Sequence, residues 1–310
     1  MTRRACLPIL VALLSLIAPS PGAAATPGCQ GQGGWKLVGA DVFRGADAVM
    51  RSQGVTSDGS GWIFSWQGGL QRTTDDFTPT ALGTLPPEDA VEPSVDPSGQ
   101  NHVGDNHIGD IDVHGGLVYA PIEDGGQSVG PVDLNNPEYQ RPRIALYDAS
   151  TLAYTGVSYP LDVTTHEAGV PWVAVDGPRE RVYTAEWDMP HDRLNVFDLD
   201  MRFQRFLPLR YPPSLGDGFH LSRIQGAKVW GRTLFATRDD AAKTVFAIDL
   251  KTGVVTKLFS LDPAGPAELE GLAVRPTADG ALLHVLIILD NQLPQDASDI
   301  RVSFNHYAPC

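Results

Sequence analysis

This sequence is short of cysteine, of basic charge, of long apolar runs and of catalytic signatures, and each shortage narrows what it can be. Only three cysteines stand in 310 residues. Lys and Arg number 23 against 37 Asp and Glu, a formal charge of −14. A chain so acidic repels phosphate backbones, which argues against a nucleic-acid partner. Beyond the N-terminus no apolar stretch is long enough for a transmembrane helix. There is no convincing amphipathic helix, and no Ser/Gly linker or charge block divides the chain. A Gly-x-Ser-x-Gly elbow, a phosphate loop, a dinucleotide fingerprint and a His-Glu-x-x-His zinc motif are all missing.

What is present begins with an address. Arg3 and Arg4 precede an apolar run from Leu7 to Ile17, followed by Pro19, Pro21 and the small residues Ala23, Ala24 and Ala25. That order describes a secretory signal peptide over 1–25, cut after Ala25. The alternative is a buried N-terminal helix. Thr2-Arg3-Arg4 is only a fragment of a twin-arginine motif. The expectation is a secreted protein, extracellular or periplasmic, with residues 26–310 as one domain and a monomer. Loss of Arg3 and Arg4 takes the formal charge from −14 to −16. Cys6 leaves with the leader, so Cys29 and Cys310 allow a single intramolecular pairing, permitted by an oxidising compartment. Such a disulfide would tie the two termini together. Thr26-Pro27-Gly28 lacks the apolar residue that lipidation of Cys29 would use.

The 32 glycines and 25 prolines are scattered, and between them lie short β-branched and aromatic runs. Aligned, these runs repeat. Each unit opens with a short apolar strand: Val55 to Ser57, Ile111 to Val113, Val173 to Val175, Ala227 to Val229, Leu272 to Val274. A Gly turn follows, then a second strand such as Trp62-Ile63-Phe64 or Thr233-Leu234-Phe235. The third strand ends in Asp148, Asp198 or Asp249, with Thr74-Asp75 and Phe304-Asn305 in the first and fifth units. Most units close with a fourth run, such as Phe203 to Leu209.

Sets of four strands repeated around a ring make an all-β fold, the β-propeller. The fifth unit has three strands, and the N-terminal strand Lys36 to Phe43 has no unit. Giving that strand to the fifth blade closes the ring, with the terminal disulfide at the junction. Five blades are favoured. Six stay open, because the loops at 85–106 and 124–142 are long enough to hide strands. A β-sandwich or lectin-like jelly roll is the rival fold.

The stretch Glu268-Leu269-Glu270-Gly271-Leu272-Ala273-Val274 resembles the blade openings of strictosidine-synthase-like, SMP-30-like and esterase-like-phytase propellers. The resemblance covers single blade openings. It implies a metal-dependent, calcium-using hydrolase of lactone, ester or phosphoester substrates, because several of those families hold calcium in the central channel.

In a propeller the first strands line the channel, and the loops entering them build the face where ligands sit. Asn101 to Asp112 is the densest such segment, with two His and three Asp. Carboxylates suit calcium and imidazoles suit transition metals, while Asp and His also serve as plain turn residues. Asp105, Asp110, Glu270 and Asp290 are the candidate metal ligands, and Asp110 and Glu270 are expected in one site. For Glu270 the plain alternative is an ion pair with Arg223 or Arg51. His107, His166 and His220 are the candidate bases for a metal-bound water. Trp62, Trp66, Trp172, Trp187 and Trp230 could stack on sugars, or simply pack blade against blade. The second function reading is therefore a non-enzymatic extracellular module, binding a small-molecule or glycan ligand, a peptide or a surface partner on that face.

Overall fold

The computed structural model describes residues 34–86, 107–124, 140–162, 165–166, 169–187, 191–278, 280–289 and 300–310. They form five antiparallel sheets arranged as the blades of a β-propeller. Blade 1 holds β2 (Gly54–Thr56), β3 (Trp62–Trp66), β4 (Gly69–Thr73) and β5 (Pro79–Thr84). Blade 2 holds β6 (His107–Ile108), β7 (Asp112–His114), β8 (Leu117–Asp124), β9 (Gln140–Asp148) and β10 (Tyr154–Pro160). Blade 3 holds β11 (Ala174–Asp176), β12 (Arg181–Thr184), β13 (Arg193–Phe197) and β14 (Phe203–Pro208). Blade 4 holds β15 (Ile224–Trp230), β16 (Thr233–Arg238), β17 (Thr244–Asp249) and β18 (Val255–Ser260). Blade 5 holds β19 (Ala267–Thr277), β20 (Gly280–Leu289), β21 (Arg301–Pro309) and, as its outer strand, β1 (Trp35–Arg44).

The ring closes through β1. It runs antiparallel to β21 from Trp35 opposite Pro309 to Arg44 opposite Arg301. The Cys310 N–H donates to the Gly34 carbonyl at 2.8 Å. Cys29 lies outside the described residues, so the expected disulfide is not part of this description. A one-turn helix, α1 (Gly45–Val49), leads from β1 into blade 1. The inner strands of blades 1 and 2 pack directly on each other. Among the described residues there is no sixth blade.

Why these runs become blades is visible in their alternation. Successive side chains of a strand point to opposite faces, and here both faces of the inner three strands meet a neighbouring blade. Ile63 packs toward blade 2 and Phe64 toward blade 5. Leu234 packs toward blade 3 and Phe235 toward blade 5. Five apolar clusters result, one in each junction between blades. The outer strands, as in β10 and β14, are mostly exposed.

The recurrent Asp at the end of the third strand has a local cause. Asp148 Oδ1 accepts from the N–H of Ser150 and Thr151, and Asp249 Oδ1 from Lys251 and Thr252. Asp198 does the same for Asp200 and Arg202. These carboxylates cap the turn into the fourth strand. In blade 1 the cap is Thr74, whose hydroxyl accepts from Thr78 N–H, and β4 ends one residue earlier, at Thr73.

Candidate functional site

At the centre of the ring stands Asp110. The inner edge of blade 2 is split into β6 and β7, and residues 109–111 between them step out of the sheet toward the axis. Asp110 is fully buried. Its Oδ1 accepts the Val55 N–H of blade 1 at 3.0 Å, and its Oδ2 accepts the Ala227 N–H of blade 4 at 3.0 Å. Lys228 Nζ donates to Oδ2 at 2.6 Å. Its backbone pairs with Pro171 and Val173 of blade 3. Three glycines make this closeness possible. A Cβ on Gly54, Gly226 or Gly271 would come within 2.5 Å of Asp110, Gly271 and Asp110 respectively. One residue, through its side chain and its backbone, thus touches or bonds all four other blades. Asp112 adds a second tie, accepting from Thr56 Oγ1 at 2.9 Å and Val175 N–H at 2.8 Å. Burial pushes the Asp110 carboxyl up to about 7, against the pull of Lys228 and the Val55 N–H.

Beside this hub, Glu268, Glu270 and Asp239 form an acidic cluster, the acidic mouth, between blades 4 and 5. Both inner strands carry a β-bulge there, β15 at Gln225 and β19 at Glu270-Gly271. Bulges re-aim side chains, and these are pinned together. Thr237 Oγ1 reaches the Gly226 carbonyl at 3.2 Å and the Glu270 carbonyl at 2.7 Å. Gln225 Nε2 donates to Glu268 Oε1 at 3.3 Å across the junction. Asp239 accepts from Lys243, from Arg223 at 2.8 Å and from Leu269 N–H at 3.0 Å. Arg223 also lies over the Trp187 ring.

Glu270 is the exception in this network. It is only 2 % exposed, and its carboxyl makes no hydrogen bond among the described residues. Burial first, then the charges of Glu268, Asp239 and Asp110, hold its proton affinity well above the usual carboxylate range, with Lys243 opposing. The structure thus brings Asp110 and Glu270 together across the sequence. Neither Arg223 nor Arg51 pairs with Glu270: Arg223 holds Asp239, and Arg51 holds Gln71 and Asp47.

The three histidines are not brought together. His107 Nδ1 stands 3.2 Å from Glu123 Oε1 in blade 2. His166 is buried between the Thr165 and Thr184 hydroxyls, and burial lowers its pKa to about 3. His220 packs on the Tyr211 ring. No hydrogen bond or ring contact joins any two of them among the described residues. Asp105 and Asp290 lie outside the described residues. Calcium calls for six to eight oxygen ligands. No three His, Cys, Asp or Glu side chains converge as a metal-holding group among the described residues. Asp110 is already met by hydrogen-bond donors, with Lys228 supplying the positive charge. The described acids therefore do not fit a calcium cage. Sequence reasoning missed Lys228, whose only signal is an ammonium inside an otherwise apolar inner strand. Among the described residues no helix is long and apolar enough to cross a membrane.

With this geometry in hand, the chain compares as follows. No protein-family profile matches the sequence, and no curated protein matches it. Among solved structures, the GH43 protein BlXynB from Bacillus licheniformis, in a mutant form, is similar with a TM-score of 0.52 at 12% identity, covering 87% of this chain and 54% of that one. A second structure of BlXynB gives 0.48 at 13% identity, covering 81% and 52%. The PQQ-bound aldose sugar dehydrogenase of Streptomyces coelicolor gives 0.42 at 12% identity, covering 87% and 99%. The chain spans about half the length of the two BlXynB chains. At this identity the likeness concerns the fold. The class is that of the β-propellers. More particularly, the chain is a five-bladed member with an acidic cluster beside a buried central aspartate.

Proposed function

We propose that the chain is a propeller hydrolase that takes a small polar substrate at the mouth between blades 4 and 5, with Glu270 as its proton donor. The observation that carries this reading is the Glu270 carboxyl itself: buried, without a hydrogen bond among the described residues, and crowded by three other acids. A carboxyl whose proton affinity burial and neighbouring acids have raised is the group a general acid requires. In this reading it gives its proton to the leaving oxygen of an ester, lactone or phosphoester. Glu268, less buried and held by Gln225, takes the proton of the attacking water. Two carboxyls in contrasting environments divide the acid and base roles. Arg223 and Lys243 supply positive charge for a developing oxyanion. No step runs through a metal ion.

The test is turnover of an ester, lactone and phosphodiester panel across pH, with and without chelator. Expected are chelator-insensitive rates that fall as pH rises through the raised Glu270 carboxyl. Glu270→Gln should cut them by about 100-fold or more. Chelator-sensitive rates would return the calcium reading in place of this one. The second reading, a binding module without turnover, draws on the three separated histidines. Saturable glycan or small-molecule binding with no turnover on any substrate would favour it.

A further inference from the structure

The opposite end of the strands carries a site of the other sign. The turns of blades 3 and 4 enclose a pocket of about 390 Å³ lined by Arg179, Arg181, Tyr183, Arg205, Arg232 and Lys251. Five cations in one pocket reverse the sign of a chain whose formal charge is −14.

Two of the five are neutralised within the protein. Arg179 pairs with Asp176 at 2.9 Å and Arg232 with Asp249 at 3.4 Å. The others are not. Among the described residues Arg181 and Arg205 reach only the carbonyls of Glu180 and Phe206, at 3.0 and 3.4 Å. Lys251 has no ion pair among the described residues. Tyr183 is 3 % exposed, lines the pocket, and has no hydrogen-bond partner for its hydroxyl among the described residues. The charges of Asp176, Arg205, Arg179 and Arg181 all reach it. The walls are also fixed to each other. Arg179 Nη1 donates to the Gly231 carbonyl at 2.6 Å, linking the blade 3 turn to the blade 4 turn. Glu180 at φ 51° and Gly231 at φ 62° set the two turns.

We infer that this pocket binds the phosphate or sulfate group of a small ligand. Three unneutralised cations suit an oxyanion of two or three charges, and guanidinium forks match its oxygens bidentately. The unpartnered Tyr183 hydroxyl adds a donor at the floor. The volume lies within the range of small-ligand sites, room for such a group and a sugar-sized body.

Calorimetric titration of the full chain tests this, with inorganic phosphate, pyrophosphate, sulfate and glucose 6-phosphate as probes at two salt concentrations. Expected is one-site binding of at least pyrophosphate, weaker at the higher salt. Arg181→Ala combined with Arg205→Ala should weaken it about tenfold or more, with an unchanged melting temperature. Lys257→Ala, an exposed lysine outside this pocket, should change it less than about twofold. Tighter binding of glucose 6-phosphate than of inorganic phosphate would support an ester ligand, and equal binding a free anion. No binding of any probe, or equal binding by the double variant, would overturn the inference.

Discussion

The acidic mouth and the basic pocket both gather charge, and they differ in what surrounds it. At the mouth Glu270 and the adjoining Asp110 are buried, and burial drives both toward the neutral acid. At the pocket Arg179, Arg205, Arg232 and Lys251 are exposed, and water screens them. Burial, more than the number of charges, decides whether a cluster stores a proton or attracts a counter-ion. A propeller offers both settings because its inner strands are enclosed while its turns are open.

The sharpest way to break this contrast is to leave a buried charge alone. Lys228→Met strands the Asp110 carboxylate among the inner strands. A loss of about 3–5 kcal/mol is expected by urea unfolding at pH 8, shrinking as pH falls and Asp110 gains its proton. Adding Asp110→Asn should restore part of that loss. A Lys228→Met protein as stable as its parent would mean the hub is not held by this pair.

A second change should separate activity from stability. Glu270→Gln removes one member of a crowded acid group. The melting temperature is expected to rise by roughly 3 °C while turnover falls.

The third lies in the pH dependence of stability. His166 and His284 have pKa values lowered to about 3, and His191 to about 4, burial being the main cause. The folded state then binds fewer protons than the unfolded one below about 6.5, so stability is lost as pH falls from there. Asp110 and Glu270 act in the opposite sense. They hold protons in the folded state that the unfolded chain releases, so their contribution is lost as pH rises through the raised carboxyls, that of Asp110 at about 7. Melting from pH 4 to 8 should trace both limbs. His284→Asn should flatten the acid limb and Glu270→Gln the upper one.

The smallest effect is expected at the pocket. Arg181→Ala should change stability by no more than about 0.5 kcal/mol, since solvent already screens that charge.

Much of the ring was legible in the sequence. Alternating runs punctuated by Gly marked the inner and second strands, and the unpaired Lys36 to Phe43 run is β1, the strand that closes blade 5. The recurring Asp148, Asp198 and Asp249 were legible as a repeat because they cap one recurring turn. Of the four expected metal ligands, Asp105 and Asp290 lie outside the described residues, and at Asp110 the residue type did not say which partner meets the carboxylate. Lys228 reaches Asp110 only once blades 2 and 4 face each other across the axis. The bulges at Gln225 and Glu270 leave no mark in an alternating pattern, because they are set by how closely glycines 54, 226 and 271 let the inner strands approach. The basic pocket did leave a signal, with Arg179 and Arg232 each just after a turn glycine in successive units. Reading it required knowing that these turns are neighbours.

The most direct test of the account is the titration of Glu270 itself. Carbon NMR of side-chain carboxyls, with the Glu270 signal assigned by its loss in Glu270→Gln, measures the midpoint in the folded protein. A midpoint well above 4.5, the ordinary glutamate value, is expected. A midpoint at or below that value would mean that Glu270 is an ordinary carboxylate, and the proposed proton donor would be contradicted.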